Sequence, residues 1–146
     1  MPEKKKVLFL CTHNSCRSQI AEGLLRSLYG DRYESHSAGT KPAKINPYSI
    51  KVMSEIGIDI SAYKSKSLEE FKGVKLDYVI TVCDNAKKAC PVFPGAAKNI
   101  HWDLTDPSER RGSEEKMLNE FRNIRDKIKN NIVRVFGNKK GGVIWQ

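Results

Sequence analysis

The stretch of sequence that decides the fold reads KKVLFLCTHNSCRSQ from Lys5 to Gln19. Up to Leu10 it is a largely apolar run of strand-forming residues, and this run leads directly into Cys11. Beyond the stretch, apolar residues recur at helical spacing until Gly30: Ile20, Leu24, Leu25 and Leu28. The pattern predicts a strand, a tight loop and a helix in succession.

Three further strands are predicted, at residues 33–37, 76–82 and 99–102. The run at 76–82 reads LDYVITV, which is typical of a strand buried on both faces. Helices are predicted over 47–57 and from Ser113 onward, where Glu114 and Glu115 suit the positive end of a helix dipole. The apolar stripe of the last helix is assigned to the core: Met117, Phe121, Ile124, Ile128, Ile132 and Val135.

The alternation of strands and helices predicts an α/β fold, with a four-stranded parallel sheet and helices on both faces. A chain of 146 residues is the usual size of one domain, so we expect a single domain over residues 1–146. Ligands of such sheets bind beyond the carboxyl ends of the strands. Cys11 and Cys83 both follow predicted strands, so they mark the candidate site.

The composition limits the possible partners and compartment. Lys and Arg number 26 against 17 acids, a net charge of +9 that suits either a polyanionic partner or a small anion. No nucleic-acid-binding motif accompanies this charge, and no apolar run is long enough for a signal peptide or a membrane span. We therefore expect a cytoplasmic protein with no nucleic-acid or membrane partner, whose four cysteines serve catalysis or metal binding.

The loop between the first strand and helix carries the main motif, Cys11 and Arg17 with five residues between them. A short loop at a helix N-terminus can turn its N–H groups toward an anion, and Arg17 adds a bidentate fork. The same field stabilises a nucleophilic Cys11 thiolate, to which Ser18 can donate a hydrogen bond. The candidate oxyanion-binding residues are Thr12, His13, Asn14, Ser15, Cys16, Arg17 and Ser18. Among them, Asn14 is expected to hold the loop backbone, and Cys16 to be a packed or loop-shaping thiol.

This loop, the segment Ser37-Ala-Gly-Thr40 and the late Asp106-Pro107 pair resemble the low-molecular-weight tyrosine phosphatase fold. A second cysteine pair, Cys83 and Cys90, makes the chain similar to the thioredoxin-coupled arsenate reductases of that fold. The tyrosines that usually follow Asp-Pro in the phosphatases are replaced here by Ser108 and Glu109.

The resemblance implies a reaction and its parts. Cys11 attacks arsenate, Arg17 holds it, and Asp106 protonates the departing oxygen. Cys83 and then Cys90 carry the disulfide that thioredoxin reduces. Arsenate is then the substrate, phosphate or sulfate are competing oxyanions, and the relay needs no metal or organic cofactor. We expect the enzyme to act as a monomer.

Two further expectations follow from the resemblance. A single helix over 83–90 separates its end Cα atoms by roughly 10 Å, whereas a disulfide tolerates less than about 7 Å. We therefore expect residues 84–89 to be a helix or turn that reorganises on oxidation.

Some related reductases have a potassium site and others lack it. The residues of that site match Asn14, Glu22 and Ser37, together with an aspartate. Here the aspartate's position is Lys66, so no potassium dependence is expected.

Two other functions remain open. A low-molecular-weight protein tyrosine phosphatase would need only Cys11, Arg17 and Asp106. A cysteine-rich module that binds zinc or arsenite would use Cys83 and Cys90 with Cys11 or Cys16. Neither cysteine pair has the close spacing of structural zinc ligands, and three scattered histidines do not indicate a metal site.

Overall fold

A four-stranded parallel sheet in the order β2-β1-β3-β4 forms the centre of the protein. The computed structural model describes residues 3–82, 93, 95–109 and 111–137. Its strands are β1 (Lys5–Cys11), β2 (Tyr33–Gly39), β3 (Tyr78–Thr81) and β4 (Lys98–His101), and its helices are α1 (Arg17–Tyr29), α2 (Pro47–Ser54) and α3 (Glu114–Phe136). Short 3-10 helices occupy Leu68–Phe71 and Pro107–Glu109. The predicted four-stranded parallel sheet is confirmed.

Strand β1 is central because it pairs with both β2 and β3. Its side chains alternate between the two faces of the sheet. Val7 and Phe9 pack in the large core that includes residues of α1 and α3, while Leu8 and Leu10 pack on the opposite face with Phe71 of the first 3-10 helix. All four β1 side chains have 0% exposure, so this strand anchors the loop that follows it.

Helix α3 buries an apolar stripe that differs slightly from the predicted one. Phe121, Ile124, Ile128 and Ile132 are buried as expected. At the two ends, Leu118 and Phe136 are buried, whereas Met117 and Val135 are only partly buried. Both ends of the sequence stripe hold adjacent apolar residues, so periodicity alone could not choose between them.

Helices α2 and α3 are joined by an ion cluster around Glu55, the residue that follows α2. Arg122 approaches the Glu55 carboxylate to 2.6 Å and Arg125 to 3.0 Å. The hydrogen bond from Arg122 lowers the pKa of Glu55 to about 2.

Among the described residues, none of the helices is long and apolar enough to cross a membrane.

The β1–β2 pair ends where the loop begins, with Cys11 opposite Gly39. A Cβ atom on Gly39 would lie 2.5 Å from the Thr12 carbonyl oxygen and 2.9 Å from the Asn14 nitrogen. Both atoms belong to the loop backbone, which cannot move aside as a side-chain end can. Gly39 therefore permits the close approach of β2 to the loop.

Replacing Gly39 with alanine should destabilise the protein because the added methyl group meets backbone atoms. We expect Gly39→Ala to lower the free energy of unfolding by about 1–3 kcal/mol, measured by urea denaturation. Gly23→Ala is the comparison variant, since its Cβ would meet side-chain atoms of Ile60, Met53 and Ile58 and no backbone atom. Equal stability of the two variants would show that the Gly39 contact is not a constraint.

Candidate active site

The loop from Thr12 to Cys16 joins β1 to α1 and turns around Asn14. Asn14 has a φ of 53°, the left-handed region that residues other than glycine rarely occupy. This conformation directs the Asn14 backbone N–H to the Cys11 sulfur, at 3.2 Å. The expectation that Asn14 shapes the loop agrees with this geometry.

Ser18 supplies a second hydrogen bond to the same sulfur. Its Oγ lies 2.8 Å from Cys11 Sγ and accepts a hydrogen bond from Asn14 Nδ2 at 2.9 Å. Since Asn14 fills an acceptor position of Ser18, the serine proton is free to point at the sulfur. Two donors thus converge on the sulfur of Cys11, which is 3% exposed.

Arg17 lies beside the loop, and the two terminal nitrogens of its guanidinium contact other protein groups. Its Nη1 donates to the Leu104 carbonyl at 2.8 Å, and its Nη2 lies 3.5 Å from Asp106 Oδ2. Its Nε is buried and has no partner among the described residues. A buried donor of this kind is available to a bound oxyanion.

Asp106 begins the turn that leads into Pro107–Glu109. Its Oδ1 accepts hydrogen bonds from the Ser108 backbone N–H at 2.9 Å and from Ser108 Oγ at 2.7 Å. Its Oδ2 faces Arg17. One oxygen is therefore anchored, while the other is directed toward the oxyanion loop, as a general acid requires.

The rest of the loop is fixed through its backbone. The carbonyls of Thr12, His13 and Ser15 accept hydrogen bonds from the backbone nitrogens of residues 41, 43 and 46. Helix α1 begins at Arg17, and the side chain of Cys16 at its N-cap accepts no hydrogen bond from the first N–H groups of the helix. Such a helix end favours an anion, in agreement with the predicted cradle.

Cys16 is 4% exposed and packs with Val52, Leu118 and Phe121. Burial raises the pKa of its thiol to about 11. A protonated, packed thiol is a poor nucleophile. The structure therefore agrees with the expectation that Cys16 is a packing residue.

Glu22 lies behind the loop and is 3% exposed. One carboxylate oxygen accepts from Ser37 Oγ at 2.5 Å and lies 3.4 Å from Lys66 Nζ. The other oxygen pairs with Arg26 at 2.6 Å. The Lys66 ammonium thus neutralises the Glu22 carboxylate, which a potassium ion at this position would need as a ligand. These residues therefore do not fit a potassium site.

Several contacts in the site had no signal in the sequence. The Leu104 carbonyl and the backbone of Lys66 act through main-chain atoms, which residue identity does not reveal. Within the described residues, no cluster of three metal-ligating side chains is present. Cys83, Cys90 and the predicted helix or turn at 84–89 lie outside the described residues.

Comparison with known proteins identifies the family. The sequence model of the family described as low molecular weight phosphotyrosine protein phosphatase matches residues 6–140. The arsenate reductase of Halalkalibacterium halodurans is 42% identical over 125 residues, covering 86% of this chain and 90% of that protein.

Solved structures give the same relationship. An arsenate reductase in the phosphate binding state has a TM-score of 0.79 at 32% identity, covering 91% of this chain and 97% of that one. A thioredoxin-dependent arsenate reductase of Corynebacterium glutamicum has a TM-score of 0.62 at 33% identity, covering 88% of this chain and 62% of that one.

The chain therefore belongs to the low-molecular-weight phosphotyrosine protein phosphatase family. Within that family it groups with proteins named arsenate reductase. The resemblance and the fold class inferred from the sequence are confirmed.

The Lys66–Glu22 pair predicts that potassium has no specific effect. Thermal unfolding midpoints should be equal in sodium and potassium chloride, because the cation position is already filled by an ammonium. The contrast variant Lys66→Asp replaces that cation with a carboxylate, so its midpoint should be higher in potassium. Specific stabilisation of the unaltered protein by potassium would contradict this account.

The raised pKa of Cys16 predicts selective alkylation. At neutral pH about one Cys16 thiol in ten thousand is ionised, whereas the equally buried Cys11 sulfur faces two hydrogen-bond donors. Iodoacetamide should therefore modify Cys11 and leave Cys16 unmodified, as read by peptide mass analysis. Both should react once the protein is unfolded in urea. Equal labelling in the native protein would show that Cys16 is accessible and reactive.

Proposed function

We propose that this protein reduces arsenate to arsenite through a relay of Cys11, Cys83 and Cys90, with thioredoxin as the reductant. The observation that carries the proposal is the donor set around Cys11. Asn14 N–H and Ser18 Oγ lie 3.2 and 2.8 Å from its sulfur. Arsenate, a tetrahedral oxyanion, suits the adjacent Arg17 Nε, which has no partner among the described residues.

The first step joins Cys11 to arsenic. The thiolate attacks arsenate, an S–As bond forms, and the As–O bond to one arsenate hydroxyl group breaks; that hydroxyl leaves as water after it receives a proton from Asp106. Arg17, beside Asp106 at 3.5 Å, stabilises the negative charge of the remaining oxygens. Arsenic is still pentavalent in this adduct.

The second step transfers two electrons. Cys83 attacks the Cys11 sulfur, a disulfide forms between the two cysteines, and the electron pair of the S–As bond stays with arsenic. Arsenite leaves. Cys90 then attacks Cys83, which releases the Cys11 thiolate and leaves a Cys83–Cys90 disulfide. A dithiol such as reduced thioredoxin returns that disulfide to thiols, and the relay uses no metal or organic cofactor.

Support for a reductase comes from the sequence and the relatives together. The chain carries the two additional cysteines that the relay requires. The Halalkalibacterium relative is named arsenate reductase, and the Corynebacterium structure is that of a thioredoxin-dependent one. A dithiol reductant also suits the cytoplasmic location expected from the sequence.

A phosphatase is the second candidate, because Cys11, Arg17 and Asp106 have the roles that phosphate monoester hydrolysis needs. Arsenate and phosphate have the same shape and charge, so the loop should bind both. The loop geometry does not separate the two reactions, whereas the requirement for Cys83 and Cys90 does. Phosphate or sulfate should act as competing oxyanions in either case.

The proposal is tested by arsenate-dependent NADPH consumption with thioredoxin and thioredoxin reductase. Separate serine substitutions of Cys11, Cys83 and Cys90 should each abolish multiple turnovers, because each removes one link of the relay. Cys16→Ala is the matched control and should retain turnover, since this packed thiol has no part in the reaction.

The outcomes separate the candidates. Loss of turnover in all three serine variants supports the relay. A protein inert toward arsenate that cleaves an aryl phosphate through Cys11, with Cys83 and Cys90 dispensable, would be a phosphatase. Stoichiometric binding of zinc or arsenite without turnover would instead indicate a binding module.

A further inference from the structure

Gln19 has no role in the proposed reaction, yet its side chain is fully buried beneath the oxyanion loop, with 0% exposure. Its Nε2 donates to the Asn14 carbonyl at 3.0 Å, to Asn14 Oδ1 at 2.9 Å and to the Lys64 carbonyl at 3.1 Å. Two of these three acceptors belong to the single non-glycine residue with a positive φ among the described residues.

The orientation of the Gln19 amide follows from its surroundings. If the amide were turned over, Oε1 would face three oxygen acceptors, so the nitrogen must point toward Asn14. In this orientation Oε1 is buried and has no hydrogen-bond partner among the described residues. A buried carbonyl without a donor destabilises the folded state. The arrangement therefore places donors on Asn14 at the expense of stability.

Ser65 acts on the same carbonyl from the other side. Its Oγ lies 2.9 Å from the Asn14 carbonyl oxygen and also contacts the Ala43 carbonyl. The Lys66 backbone N–H donates to Asn14 Oδ1 at 2.7 Å. Gln19, Ser65 and Lys66 together hold Asn14 in its left-handed conformation.

Asn14 transmits this restraint to the nucleophile by two routes. Its backbone N–H donates to Cys11 Sγ, and its Nδ2 donates to Ser18 Oγ, which in turn contacts Cys11 Sγ. If Asn14 rotates, both hydrogen bonds to the sulfur are lost or weakened together. The conformation of this one residue therefore determines both hydrogen bonds to the Cys11 sulfur.

We propose that Gln19, with Ser65, is a positioning residue that maintains the reactivity of Cys11 by holding Asn14, and with it the two donors to the Cys11 sulfur, in place. This inference deepens the proposed function, because it concerns the same nucleophile. Its test does not depend on arsenate reduction, since the reactivity of Cys11 toward an alkylating agent can be measured directly.

The variant Gln19→Met keeps the length of the side chain and removes both the donors and the unpaired Oε1. Lys66 N and Lys66 Nζ still donate to Asn14 Oδ1 and to the Lys64 carbonyl. Ser65 Oγ still lies 2.9 Å from the Asn14 carbonyl, although it shares its one proton with the Ala43 carbonyl. The urea midpoint should therefore change little. Alkylation of Cys11 by iodoacetamide at neutral pH should fall roughly 3- to 10-fold, the effect of one or two lost hydrogen bonds.

Ser35→Ala is the matched control, because Ser35 Oγ is buried and donates to the Glu22 backbone carbonyl of α1, not to Asn14, Ser18 or Cys11. It should lower stability and leave Cys11 alkylation unchanged. Ser65→Ala is a second test variant, because it removes the part-buried hydroxyl that contacts the Asn14 carbonyl. It should also slow the alkylation of Cys11.

Peptide mass analysis resolves Cys11 from the other cysteines. Slower Cys11 alkylation in Gln19→Met than in Ser35→Ala supports the proposal, whether or not the protein reduces arsenate. If Gln19→Met does not fold, slower alkylation in Ser65→Ala supports the proposal and unchanged alkylation overturns it. Cys11 alkylation in Gln19→Met equal to that in Ser35→Ala overturns it and makes Gln19 an ordinary packing residue.

Discussion

The left-handed backbone of Asn14 is the constraint on which the site depends. A positive φ is unfavourable for any residue with a Cβ, so it persists only where surrounding contacts determine it. Here those contacts come from α1, through Gln19, and from Ser65 and Lys66. The nucleophile, its two donors and the start of α1 take their relative positions from this turn.

A buried carboxylate close to the oxyanion loop is paired with cations of the protein itself. Glu22 is buried behind the oxyanion loop, where an uncompensated carboxylate would oppose an incoming anion. Lys66 and Arg26 pair with its two oxygens. Because both partners belong to the protein, the compensation is part of the fold and needs no ion from solution.

Local sequence patterns predicted the parts of the site that lie within one short segment. Cys11, Arg17 and Ser18 are near neighbours in the chain, and the strand–loop–helix pattern brings them together. The Leu104 carbonyl and Ser65 were not predicted, because they reach the loop from distant segments through contacts that composition and periodicity do not encode. Asp106 was predicted only through the family resemblance. The offset at the ends of the α3 stripe has a similar cause, since tertiary packing chose between adjacent apolar residues.

The segment after β2 runs alongside the oxyanion loop and hydrogen-bonds to the carbonyls of Thr12, His13 and Ser15. These bonds form when the protein folds, so the loop already has restricted backbone freedom before any ligand arrives. Binding a small oxyanion therefore requires little loss of conformational entropy. A ligand with few atoms has little contact energy to offset such a loss, so a loop restrained in this way before binding suits a small anion.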